Sequence, residues 1–195
     1  GKPIISYPIK VLKNSKIFSK IYVSTECKKI SEIVKRYDVA VPFLRPKQLA
    51  NNKTSTLKVI KHFINKKKIL PKDNVCCVYP ATPLLTKNIL KKSMRKFLNN
   101  KNNFLVPIQK AGLNEKNVFK LNKKGQISKK GKSKKFFKDT GQFYLGTAKN
   151  FLGKNSILFS GTTRTILIPK NAALDVNTIE DWKLLKKMFK KKKHD

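Results

Sequence analysis

Ten acidic residues against 46 basic ones leave this 195-residue chain few carboxylates with which to do chemistry, so their positions matter. Three stand beside apolar runs that read as strands: Glu26 after "VST", Asp139 at the head of "DTGQFYLG", and Asp175 in "LDVNTIEDW". Loops at strand ends are where α/β proteins place ligands. Histidine offers almost nothing: His62 lies among lysines in a helix-period stretch and His194 in a basic tail, so a Ser-His pair or a His-metal site has no material. Lone carboxylates, lysines and backbone amides suit phosphate chemistry with Mg²⁺, which takes oxygen ligands and neutralises charge without a histidine base. The same residues also have plain structural uses. Aspartate favours caps and turns, so Asp175 and Asp181 also read as helix caps and Asp139 as a turn residue.

The elements that must position these groups follow from apolar period and chain breakers. "KIYVST" (20–25) and the short, Pro-limited "VAVPF" (39–43) read as strands, with a helix over "KKISEIVKRYD" between them, where Ile30, Ile33 and Val34 share a face. Thr54 or Ser55 is placed to cap a helix striped with Leu57, Ile60, Phe63 and Ile64. "VCCVY" (75–79) is apolar throughout, as expected of a strand buried on both faces of a parallel sheet. A helical "TKNILKKSMRKFL" and a strand "NFLVPI" (103–108) come next. This β-α alternation predicts an α/β fold: a three-layer, mostly parallel sheet with helices on both faces and right-handed crossovers.

The stretch 121–138 is Lys/Gly/Ser-rich without apolar period and reads as a loop or small excursion. Strands resume at "GQFYLG" and "RTILIP", and "NTIEDWKLLKKMF" closes the chain as a helix. There Thr178 and Asp181 have capping-box spacing, and Ile179, Trp182 and Leu185 point one way. "KPIISYPIKVLKN" (2–14) reads as a helix with Pro3 near its first turn. A sheet of this class normally opens on a strand, so the sequence is expected to begin inside the first β-α unit. No internal repeat is visible.

The length fits one domain, residues 1–195. No apolar run approaches the ~18 residues of a membrane span and no charged-then-apolar leader opens the chain, so a soluble, cytoplasmic protein is expected. Cys27, Cys76 and Cys77 have no C-x-x-C spacing and read as buried thiols. A formal charge of +36 suggests nucleic acid at first sight. Only four of the basic residues are arginine, however, and the lysines are spread along the whole chain. They read as solvated faces, and the run at 186–195 as a frayed basic tail. Neither nucleic acid nor membrane is the expected partner.

In order and spacing, "GKPIISYPIKVLKNSKIF", "IYVSTE", "VAVPFLRPKQLANNKTSTLKVI", "CCVYPATPLL", "PIQKA", "DTGQFYLG" and "LDVNTIEDW" resemble the CMP-sugar synthetases, the acylneuraminate cytidylyltransferase family. "GQFY" after an aspartate points to the branch that handles pseudaminic acid. The resemblance covers nearly the whole chain and weakens over 111–138, a variable basic excursion. It implies a Rossmann-like nucleotide-diphospho-sugar transferase fold, similar to glycosyltransferases of the A type. The implied reaction has the anomeric hydroxyl of a nine-carbon keto-acid sugar attack the α-phosphate of CTP, with pyrophosphate leaving and Mg²⁺ assisting. It also implies roles. Arg45, Ser55, Thr56 and Tyr79 would lie by the nucleotide; Gln109, Lys110, Asp139, Gln142 and Tyr144 would face the nonulosonic acid; Asp175, with Asn177, would hold the metal and carry catalysis. A homodimer is expected from the same likeness.

Three departures accompany it. The family's glycine- and basic-rich triphosphate loop and its strand would precede Gly1, so the polypeptide alone is not expected to turn over. The second acid of the family's D-x-D is Asn177, which supplies an oxygen but no charge. The Arg/Gln stretch before "DxGQFY" has become "SKKGKSKKFF", where Lys129 and Lys130 are candidates for the sugar carboxylate. The alternatives are therefore a sialic or legionaminic acid synthetase, or a degenerate paralogue that binds nucleic acid.

Overall fold

The computed structural model describes residues 2–112, 115–128, 135–174, 176 and 178–192. Six helices and seven strands follow in chain order among them: α1 (Ser6–Ser15), α2 (Lys28–Lys35), α3 (Thr56–Lys67), β1 (Asn74–Val78), α4 (Lys87–Leu98), β2 (Leu105–Ala111), β3 (Lys120–Leu121), β4 (Ile127–Ser128), β5 (Phe136–Asp139), β6 (Phe143–Thr147), α5 (Ala148–Leu152), β7 (Arg164–Leu167) and α6 (Ile179–Lys192). Helix starts follow their caps. Ser55 accepts from Lys58 N at α3, and Thr86 accepts from Ile89 N at α4. At α6, Thr178 N donates to Asp181 and Asp181 N to Thr178 Oγ1, at 2.9 and 3.1 Å, the reciprocal pattern that the spacing predicts. Of the three apolar residues expected to share that helix's buried side, only Leu185 is buried; Ile179 is 68% and Trp182 40% exposed.

The main sheet is mixed, not mostly parallel. β6 pairs antiparallel with β1 over its whole length and meets β2 antiparallel through Leu105 and Leu145; β5 is antiparallel to the second half of β2, and only β7 runs parallel to it. The β1-α4-β2 crossover does make β1 and β2 parallel, but β6 is inserted between them, so they are not neighbours. Apolar period reveals that a strand exists and says nothing of its direction or its neighbours.

Because β7 takes one edge of β2, β5 and β6 lie end to end along the other. They are separated by a bulge at Thr140–Gln142. Pro107 of β2 has no N–H to offer there; its carbonyl accepts from Thr140 N at 3.2 Å, and Gly141 supplies the left-handed φ of 60° that the extra residue needs. This bulge throws Asp139 and Gln142 to the sheet rim.

Helices cover both faces. Phe97 and Leu90 of α4 pack on Leu105, Phe143 and Leu145, while Ile60 and Ile64 of α3 pack with Phe104, Ala148 and Phe151 on the other side. Each fully buried side chain of this kind contributes about 1.5–3 kcal/mol. The expected strands at 20–25 and 39–43 reduce to one parallel bridge, Tyr22 with Ala40, and Pro42 cannot donate to extend it. β1 is half-buried rather than buried, since it pairs only with β6 among the described residues. Its burial nonetheless holds both thiols neutral, pushing Cys77 up to about 12 and Cys76 further. Residues 120–128 form a β3–β4 hairpin turned through Gly125 at φ 71°, where a loop is expected.

Candidate active site

Since β1, β2 and β7 all point one way, their C-terminal ends share a rim, the usual ligand side of such a sheet. Tyr79 follows β1, Gln109 and Lys110 lie toward the end of β2, and residues 168–174 leave β7 there. Asp139 and Gln142 reach the same rim on the bulge. Tyr79 N donates to Gln142 O at 2.9 Å, which locks the end of β1 to the bulge.

A compact polar cluster results. The Tyr144 hydroxyl donates to Asp139 Oδ2, and the Tyr79 hydroxyl shares a short hydrogen bond with Thr56 Oγ1 at the first turn of α3. The two tyrosine rings meet edge to face at 5.9 Å, and Phe159 stands edge-on to Tyr144 at 5.8 Å. Burial is the first cause that pushes both phenols above their ordinary value; for Tyr144 the Asp139 carboxylate adds to it. Tyr144 itself is only 4% exposed, so its ring backs Asp139 instead of forming an open wall.

Two glutamines tie down the strand-to-helix segment beyond β7. Gln109 Nε2 donates to Pro169 O at 3.0 Å and Ala173 O at 3.1 Å, and Gln142 Nε2 to Ala172 O at 2.8 Å. At 7% exposure, Gln109 acts as a brace. Gln142 Oε1 is buried without a hydrogen-bond partner among the described residues. Lys110 is exposed and lines a cavity of about 230 Å³ with Leu167, Ile168, Pro169 and Lys170.

Arg45 stands in a separate group. Its Nη2 donates to Glu26 Oε2 at 2.6 Å, its N donates to Thr25 O at 2.8 Å, and its buried Nε has no partner among the described residues. Backbone hydrogen bonding and then the Arg45 guanidinium hold the Glu26 carboxyl below the usual carboxylate range. Ser55 caps α3 and is exposed. Asp175, Asn177, Lys129 and Lys130 lie outside the described residues. Among those described, no group of three or more His, Cys, Asp or Glu side chains is placed to hold a metal ion. The structure thus brings Thr56 and Tyr79, expected by the nucleotide, next to Asp139, Gln142 and Tyr144, expected by the sugar, and leaves Arg45 apart from them. The aromatic support from Phe159 escapes the sequence, because "SILFSG" carries no periodic signal to tie that residue to the rim.

The structure of CMP:2-keto-3-deoxy-manno-octonic acid synthetase complexed with CTP superposes with a TM-score of 0.74, covering 100% of this chain and 89% of that one at 11% identity, which shows the fold. The family model described as Cytidylyltransferase matches residues 1–167, and the chain belongs to that family. Two pseudaminic acid cytidylyltransferases from Campylobacter jejuni strains are 35% and 34% identical to it, each over 97% of this chain and 86% of the relative.

Proposed function

We propose that the protein transfers the cytidylyl group of CTP to pseudaminic acid or a close nonulosonic acid. The anomeric oxygen forms a bond to the α-phosphorus, the bond to pyrophosphate breaks, and the hydroxyl proton passes to solvent. The observation that carries this reading is 35% identity over 97% of the chain to an enzyme of that name. The rim chemistry supports it. Asp139, oriented by Tyr144, is an acceptor for sugar hydroxyls. The N-terminus of the 12-residue α3, with Ser55 and Thr56, offers dipole and hydroxyls to ribose or phosphate. Arg45 has a fork suited to phosphate or carboxylate, and the surrounding lysines draw two anionic substrates together.

Mg²⁺ fits the donor chemistry of this reading. Asp175 and Asn177 provide two oxygen donors, and the segment leading to them is fixed at the rim by Gln109 and Gln142. When bound, the ion would neutralise charge on the phosphates. A cytoplasmic homodimer is part of the same proposal; no helix among the described residues is long and apolar enough to cross a membrane.

Pyrophosphate release by the intact enzyme with CTP, Mg²⁺ and pseudaminic acid tests the reading. The expected result is turnover far above an Asp175→Ala control. A rate no higher than that control overturns it, and a preference for legionaminic or sialic acid reassigns the sugar.

A further inference from the structure

Helix α6 turns outward two apolar residues that its period predicts inward. Its inner side is fixed: Leu185 is buried, and Phe189 meets Tyr7 of α1 edge to face at 4.9 Å. This packing sets the rotation of the helix, so Ile179 and Trp182 stand on the solvent side, with Leu184 at 47% exposure near them. At 100° per residue, Ile179, Trp182, Lys183, Lys186 and Lys190 fall within an arc of about 100° on one face. All three lysines are exposed, and Lys186 Nζ stands over the Trp182 ring, 5.9 Å from its centroid. From Trp182 to Lys193 the sequence carries seven lysines and no acid; of the two acids just ahead of them, Asp181 is engaged with Thr178. Apolar residues at one end of an outward stripe, with lysines along the rest, suit a helix that lies in a lipid headgroup layer. Tryptophan and isoleucine enter the acyl boundary there, and the ammonium groups meet phosphates.

We infer that α6 docks the protein on an anionic bilayer surface, lying along it without spanning it. The lack of an apolar run of spanning length, which argues against a membrane partner in the sequence, does not bear on a helix lying in the interface. A second copy of the chain fits the stripe badly, because a two-fold pairing sets the lysine rows against each other. A nucleic acid takes the lysines and leaves Ile179 without a partner. Only a bilayer uses both parts of the stripe. The inference is independent of the sugar assignment, and it puts the proposed reaction at a membrane surface.

Trp182 is the chain's single tryptophan, so its emission reads this face alone. The protein is titrated at about 0.15 M salt with vesicles of phosphatidylcholine, alone or with about one-third phosphatidylglycerol. Anionic vesicles should shift Trp182 emission to the blue and open it to quenching by brominated acyl chains, while neutral vesicles do neither. Ile179→Glu changes an exposed position and should weaken binding about tenfold or more, with an unchanged melting point. Changing Lys183, Lys186 and Lys190 together to Glu should weaken it about a hundredfold. The same change at Lys66, Lys68 and Lys72, exposed at and beyond the end of α3, should weaken it far less. Vesicle binding with unchanged Trp182 emission would be adsorption by net charge alone, and overturns the inference. So does binding of Ile179→Glu within about twofold of wild type, or equal losses from the two lysine sets. An emission shift with single-stranded RNA and none with vesicles overturns it as well, and makes the partner a nucleic acid.

Discussion

Replacing Gln109 by methionine keeps the side chain's length and removes its amide, and its cost can be worked from the structure. Two hydrogen bonds disappear, to Pro169 O at 3.0 Å and to Ala173 O at 3.1 Å. Pro169 is exposed, so water replaces the lost donor and the loss is a net bond of about 0.5–1.5 kcal/mol. Ala173 is buried, so its carbonyl is left near unsatisfied at about 1–3 kcal/mol. Burying a thioether where an amide stood returns about 1 kcal/mol, which leaves a net loss of about 0.5–3.5 kcal/mol. The loss is local in origin, because the two bonds hold the segment that leads from β7 to residues 175–177. Urea unfolding measures the stability. A melting point lower by about 2–4 °C per kcal/mol is expected for a chain of this size. Pyrophosphate release should also fall, since the freed segment leads on to Asp175, the proposed metal ligand. Stability within about 0.3 kcal/mol of wild type together with unchanged turnover would refute the brace, and so the reason for reading Gln109 as structural.

Other outcomes follow from single features. A Cβ on Gly146 would sit 2.7 Å from Phe104 Cδ1 and 2.9 Å from Phe151 Cε2. Gly146→Ala should therefore destabilise by about 1–3 kcal/mol in urea, and a neutral result would show that the ring pair can shift. Glu26→Gln removes the charge facing Arg45. As this pair is 19% and 35% exposed, stability should change by less than about 1 kcal/mol, with KM for CTP moving more than kcat. The depressed Glu26 carboxyl contributes above its unfolded value near 4.3 and loses that contribution as pH falls through the folded one. Acid unfolding of Glu26→Gln should accordingly be shallower, and an identical acid profile would remove the pair from the account. Burial raises Cys77 from 9.0 to about 12. Its neutral thiol thus leaves stability whole below about pH 9, and stability falls progressively as pH rises from there toward 12. Urea midpoints for wild type and Cys77→Ser that fall in parallel above pH 9 would contradict this.

Much of the architecture was legible from local signals. Caps at Ser55 and Thr178 mark helix starts because a side-chain oxygen there meets an otherwise unpaired backbone N–H, a requirement that depends only on neighbours in sequence. α5 was missed. It is a five-residue turn closed by a Thr147–Asn150 capping box, too short to show a period. The exposed Ile179 and Trp182 also defeated the pattern, since periodicity finds a stripe but not how far a neighbouring layer extends to cover it.

The residue types of the site, and their order along the chain, are set in the sequence: one aspartate before a glycine and two aromatics, a hydroxyl at a helix start, a tyrosine after an apolar strand. Their assembly belongs to the tertiary structure. β6 lies antiparallel between two parallel strands, and Pro107, lacking an N–H, enforces the bulge that lifts Asp139 and Gln142 to the rim. Pairing direction and register depend on long-range partners and carry no local signature. Only folding could bring Thr56, Tyr79, Tyr144 and Asp139 within reach of one another.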